Sequence, residues 1–310
     1  MRPSCGRTCL PIELSERIFA GTVLHMPREN AYAPPEPTRK TSPGERLHKI
    51  IIAPTTLQDT APLDYIEATI GAGYDGIGLR VHRSPGLPLH PVVGDAALIR
   101  EMRARLAGFP VFDLYSFYLQ PDTDVQGFAP AMELGASFGA KYATVMGADE
   151  DWSRQRDNFI KTCDLAKQFG LTCSLEFAVI RPLATLRQTV QLIEESKRHA
   201  VICIDPLHLA RSGGSPADVK ALDAKYFPYA QISDGVLDPG EPNPALFGKL
   251  GLGTRAMPGE GKLPLREVIA ALPAGIPLSV ELPHVLGKGM SAHEWAKTTL
   301  DSTRNFLAHG

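Results

Sequence analysis

Residues 201–209 read V-I-C-I-D-P-L-H-L. Four apolar, partly β-branched residues run into Asp205, a proline follows, and His208 stands three places beyond the acid. A short apolar run of this kind is the pattern of a strand buried on both faces, here ending in a carboxylate with an imidazole on the turn just past it. Such a strand gains nothing from a terminal Asp unless the acid is used there, because an unpaired buried carboxylate is costly. The same grammar returns at Leu175-Glu176, at Tyr229-Ala230-Gln231 and at Val280-Glu281.

Working outward, strand-like runs start near Ile50, Gly76, Pro110, Lys141, Leu171, Ala200, Phe227 and Ile276. Most starts are about 30 residues apart, the size of one strand–helix–strand unit. Helical patterns fill the intervals: 63–72, 95–106, 153–169, 183–196 and 291–307, with Gly108 and Gly170 where helices should stop. Eight strands alternating with helices predict a (β/α)8 TIM barrel over residues 49–310. A doubly wound sheet is the competing architecture. It would need a Gly-rich phosphate turn after an early strand, and the turn after Ile50 is Pro54-Thr55-Thr56-Leu57. Residues 1–48 read as an irregular N-terminal extension, rich in Pro, Lys and Glu between Tyr32 and Gly44.

The chain has 310 residues, 44% hydrophobic and 21% charged, with a net charge of −2. That composition is ordinary for a globular protein and carries no electrostatic footprint for nucleic acid or an anionic membrane. Five cysteines, two of them (Cys173 and Cys203) in strand-like runs, suit a reducing, cytoplasmic setting. No apolar run approaches the roughly 18 residues of a membrane span.

In a barrel the active site lies at the C-terminal ends of the strands, so every polar strand end points to one rim. Those ends are Arg80 and His82, Tyr115, Glu176, Asp205 with His208, Gln231 with Asp234, and Glu281 with His284. Glu176, Asp205 and Glu281 repel one another unless a cation intervenes, and a divalent metal resolves this directly. Mostly oxygen ligands favour Mn²⁺ or Mg²⁺, and nearby imidazoles admit Zn²⁺, Co²⁺ or Ni²⁺. The Gly/Pro-rich stretch 234–262 reads as a lid or substrate wall that brings Arg255 and Glu260 inward, with Arg80, His82, Tyr115 and Tyr118 on the opposite wall. Taken singly, each glutamate reads more readily as a rim acid paired with an arginine, while the cap reading of Asp205 and the structural reading of His208 are the lesser ones; as a set in register with the strand beat, the ligand reading prevails.

Five motifs in order, L-E-F at 175–177, D-P-L-H at 205–208, Q-I-S-D at 231–234, R-A-M-P-G-E-G at 255–261 and V-E-L at 280–282, resemble the xylose isomerase-like barrels, the sugar phosphate isomerase/epimerase family. The resemblance covers roughly residues 48–308. It implies that Glu176, Asp205, Gln231 and Glu281 ligate one divalent metal ion, and that His208 and Arg255 meet a small-molecule substrate. It further implies an isomerase or epimerase of a sugar or other polyhydroxy carbonyl compound, working through an enediolate with Glu176 and Glu281 as acid and base. The alternative is a dehydratase of the inosose or 3-dehydroshikimate type, in which His208 protonates the departing hydroxyl. Epimerases of the family usually carry His where this chain has Gln231, which favours the dehydratase alternative. The family also includes an endonuclease branch, but that branch needs more His, Asp and Glu ligands and a basic surface. A non-catalytic metabolite-binding barrel is the reading from outside enzymology. Homo-oligomers are common in the family.

Overall fold

The computed structural model describes residues 48–84, 90–237 and 254–309. Apart from His48, the expected N-terminal extension lies outside the described residues, as does the middle of the predicted lid.

Eight strands form a parallel barrel: β1 (Ile50–Ile52), β2 (Gly76–Leu79), β3 (Val111–Leu119), β4 (Tyr142–Gly147), β5 (Thr172–Glu176), β6 (Ala200–Cys203), β7 (Ala230–Ile232) and, last in the chain, β10 (Leu278–Val280). Each strand from β1 to β6 pairs with the next, and β10 lies between β7 and β1. A single parallel bridge, Ile204 to Ala230, joins β6 to β7 and closes the ring. Two short strands, β8 (Asp234–Gly235) and β9 (Arg255–Ala256), pair antiparallel at the base of the long loop after β7. The strands are buried almost throughout, Ile52, Ile77, Val145, Leu175, Ile202, Ile232 and Val280 at 0% exposure. That explains why the sequence shows apolar runs in place of alternation.

The helices follow the predicted beat: α1 (Pro62–Ala72), α2 (Ala96–Arg105), α3 (Ala129–Ser137), α4 (Trp152–Gln168), α5 (Leu186–Ser196), α6 (Pro206–Arg211), α7 (Pro216–Lys220), α8 (Leu265–Ala271) and α9 (Ala292–Ala308). Local chemistry sets their ends. Thr185 and Gln188 form a capping box at the start of α5, and Ser291 and Glu294 do the same for α9. Gly73 ends α1 in the left-handed conformation at φ 89°. His48 is buried below β1, its Nδ1 2.8 Å from the Ile276 carbonyl, and so belongs to the barrel. Cys163, Cys173 and Cys203 are free and buried, which for Cys173 and Cys203 agrees with their place in strand-like runs. No helix among the described residues is long and apolar enough to cross a membrane.

Candidate active site

Strand register brings the polar strand ends together. Glu176 is the last residue of β5 and pairs with Cys203, so Asp205, two places on, shares its face. The closing bridge continues into a hydrogen bond from Gln231 N–H to the Ile204 carbonyl at 2.8 Å, which sets Gln231 beside Asp205. Gln231 pairs with Ser279, so Glu281 lies on that face as well. The three acids and the amide are all nearly inaccessible, at 0–2% exposure.

A connected network of hydrogen bonds holds them. The Tyr115 hydroxyl lies between the two glutamates, 2.8 Å from Glu176 Oε2 and 3.2 Å from Glu281 Oε1. Gln231 Nε2 donates to Glu176 Oε2 and to the Tyr115 oxygen, each at 3.3 Å. Arg255, buried on β9, donates from Nη2 to Asp205 Oδ2 at 2.6 Å and to Glu281 Oε2 at 3.1 Å, and from Nη1 to Ser233 Oγ at 2.6 Å. Thr55 Oγ1 donates to Glu281 Oε1 at 2.7 Å. Asp205 also caps α6, accepting from Leu207 N–H at 2.8 Å. The cap and the site role are therefore the same carboxylate used twice. His208 is buried on α6 with Nε2 3.7 Å from Asp205 Oδ2.

These surroundings divide the carboxylates. Burial, reinforced by Glu281 and Asp205, pushes Glu176 well above the ordinary carboxylate range. Glu281 is also raised by burial, with Arg255 opposing and Asp205 adding to the rise. Burial pushes Asp205 the same way, but Arg255 and His208 outweigh it and hold this acid below its usual value. Burial lowers the His208 imidazole to about 4 despite Asp205. Arg255, desolvated but flanked by two carboxylates, is raised.

The donor set fits a divalent cation. Ligand atoms from Glu176, Asp205 and His208 all lie within 4.8 Å of one another. Gln231 Oε1 is buried with no hydrogen-bond partner, a carbonyl oxygen left for something other than a protein donor. The compact acid–imidazole group thus includes His208, which the family pattern assigned to substrate. Glu281 is tied instead to Arg255 and Thr55.

Of the remaining predicted residues, Arg80 and Tyr118 stay within electrostatic reach of Glu281. Arg80 follows β2, and its Nε and Nη2 are buried without a hydrogen-bond partner. Tyr118 is buried under the Arg181 guanidinium, whose carbon sits 4.9 Å from the ring centroid. His82 stacks on Phe117 at 5.2 Å, and His284 Nε2 lies 2.8 Å from the Met290 carbonyl. Glu260 is exposed on the turn after Met257 and is not brought to the cluster. Asp234 organises the loop base, accepting from Gly235, Gly259 and Leu263 N–H groups. A Cβ at Gly261 would collide with that carboxylate, so the small residue there is required by packing. Sequence reasoning missed Thr55 and Ser233. Ser233 directly follows β7, so the rule that found the acids would have found it, whereas Thr55 lies three residues past β1 in a helical turn.

A parallel eight-stranded barrel with a buried acidic cluster at the strand ends defines a class of (β/α)8 proteins. The profile of the xylose isomerase-like TIM barrel matches residues 66–306, and the chain belongs to that family. No curated protein matches the sequence significantly. Among solved structures, the IolI protein with a bound zinc atom aligns at a TM-score of 0.65 and 20% identity, covering 84% of this chain and 98% of that one. The AsbF protein of Bacillus anthracis, a probable 3-DHS dehydratase, aligns at 0.62 and 16%, covering 82% and 98%. An L-ribulose 3-epimerase aligns at 0.59 and 16%, covering 85% and 95%.

Proposed function

We propose that this chain is a divalent-metal-dependent isomerase or epimerase of a small polyhydroxy carbonyl compound, with Glu176 and Glu281 as its acid–base pair. One observation carries the reading: two buried glutamates, at the ends of different strands, meet across a single tyrosine hydroxyl. Aldose–ketose isomerisation and epimerisation next to a ketone both begin by removing a proton from carbon beside a carbonyl. One buried carboxylate can take that proton as base, and its partner can return it on the other side. Tyr115 keeps the two side chains in fixed relation, and Thr55 orients Glu281.

Glu176, Asp205, His208 and the Gln231 carbonyl oxygen are the residues that would hold the metal. Bound there, it supplies Lewis-acid stabilisation of negative charge on a substrate oxygen. Mn²⁺ or Mg²⁺ suits the oxygen donors, while the imidazole and the zinc in the IolI structure keep Zn²⁺, Co²⁺ and Ni²⁺ open. Arg255, anchored by Asp205 and Glu281, sets the electrostatics of the pair.

A dehydratase acting on a cyclic keto-polyol is the second reading. It is favoured by Gln231, which stands where epimerases of the family usually carry His, and by the fold neighbour AsbF. Proton NMR in D₂O of the Mg²⁺-loaded protein with ketoses, inososes and 3-dehydroshikimate separates the two. Deuterium beside a carbonyl with the skeleton intact is the expected result for an isomerase or epimerase. A new alkene signal selects the dehydratase, and no exchange on any member of the panel counts against both.

A further inference from the structure

Beside the carboxylate cluster lies a separate cavity of about 30 Å³, lined by Pro54, Gln58, Tyr65, Arg80 and His90 among others. Three of these residues carry buried polar atoms with no hydrogen-bond partner: Gln58 Oε1, Arg80 Nε and Nη2, and His90 Nε2. Leaving a buried donor or acceptor unsatisfied costs about 1–3 kcal/mol, and more when the group is charged. Three such groups on residues around one small space mark it as a place for a polar occupant.

The geometry of Arg80 says which ligand. Nε–H and Nη2–H lie on one edge of the guanidinium and form its side-on fork. Elsewhere in this chain the same edge holds a carboxylate. Arg198 meets both oxygens of Asp164 at 2.7 and 2.9 Å, and Arg154 meets both oxygens of Asp149 at 2.5 and 2.7 Å. In Arg80 that edge has no protein partner. The space is small, and the side-on fork of Arg80 matches the two coplanar oxygens of a carboxylate.

We propose that this cavity is a carboxylate subsite, with Arg80 gripping a small organic acid side-on and His90 Nε2 donating beside it. Gln58 joins as a donor once its amide is turned to present Nε2. Burial lowers the proton affinity of Arg80, and a bound carboxylate offsets that penalty. The cavity shares a wall with the reaction site. Pro54 and Leu57 line the cavity, while Thr55 between them bonds Glu281. The subsite itself stands apart from the proposed reaction. Only the possibility that the substrate supplies the carboxylate rests on that reading.

The test is a ¹³C NMR titration of the full-length protein with [¹³C]formate. One saturable site is expected, weakened at least about tenfold in Arg80→Gln and in Arg80→Lys, which keeps the charge but loses the fork. Glu176→Gln should bind formate like the wild type, and inorganic phosphate should not compete. Absence of saturable binding in the wild type, or equal binding by a folded Arg80 variant, overturns the proposal. Phosphate displacing formate also overturns it. If formate raises the KM of a carboxylate-bearing substrate, the subsite holds the substrate's own acid group. If formate binds through Arg80 and leaves KM unchanged, the subsite serves a free acid. Failure to find turnover leaves the formate result standing, so the two readings fail separately.

Discussion

Removing Arg255 should unbalance the site more than any other single change. Its guanidinium is buried, touches Asp205 and Glu281 at 2.6 and 3.1 Å, and is anchored on Ser233. Arg255→Gln leaves two buried carboxylates facing a third with no compensating charge. Breaking a buried ion pair from one side costs about 3–5 kcal/mol, a large part of a typical total of 5–15 kcal/mol. Urea unfolding of EDTA-treated wild type and variant at neutral pH should show a loss of that size. The sign with pH follows from the carboxylates. Without Arg255 the folded-state pKa of Glu281 rises further above its unfolded value and Asp205 loses the partner that held its own down, so the variant regains stability as pH falls and they take up protons. The deficit should therefore shrink between pH 7 and the carboxylate range. Excess Mn²⁺ should narrow it as well, because a cation bound to the folded state stabilises by mass action. A loss below about 1 kcal/mol at neutral pH, or a deficit that grows on acidification, would refute the idea that Arg255 is the internal counter-charge.

Glu176→Gln should abolish solvent-proton exchange by a factor of about 10²–10⁴ while leaving the metal-free protein at least as stable, since it replaces a desolvated acid by a neutral isostere; single-turnover NMR and thermal melts read the two effects. Tyr115→Phe should keep metal binding but lower turnover, because both glutamates lose their shared donor; unchanged kcat with a folded variant counts against the bridge. Asp205→Asn should weaken metal affinity, measured by competition with a fluorescent chelator, while its Leu207 cap survives through the remaining oxygen. Asp113, buried inside the barrel, is raised by burial from 3.8 to about 6. The folded state keeps a proton that the unfolded state releases, so wild-type stability should decline by about 3 kcal/mol as pH rises from about 4 to 6, and Asp113→Asn should flatten that slope in urea titrations.

The fold was legible because a parallel barrel writes its strands as apolar runs at a nearly constant interval. Every predicted strand start falls within three residues of the observed one. The rim acids were legible for the same reason, since a carboxylate at the end of a doubly buried strand breaks the pattern. The pairing between them was not. That Tyr115 would bridge the two glutamates depends on register across β3, β5 and β10, which no local pattern encodes. Glu260 looked functional by its place in a motif, yet it sits at the exposed tip of a turn whose form Asp234 and Gly261 dictate. The Arg80 cavity was invisible because what marks it is the lack of a partner, a property of three-dimensional surroundings alone.

The division of labour among the carboxylates follows from who their donors are. Asp205 receives a charged guanidinium and a helix N-terminal N–H, both of which favour its ionised form. Glu176 receives only neutral donors, the Tyr115 hydroxyl and the Gln231 amide, and faces two like charges. An acid held ionised is suited to anchoring a cation, and an acid pushed toward its neutral form is suited to exchanging a proton near neutral pH. Glu281 lies between these cases, paired with Arg255 on one oxygen and with Thr55 and Tyr115 on the other. Arg255 pairs directly with Asp205 and Glu281, and a divalent ion would let Glu176 ionise beside them. Gln231 fits the same scheme: its amide nitrogen steadies Glu176 while its buried carbonyl oxygen, without a protein donor, adds a neutral ligand and leaves the charge of the site unchanged.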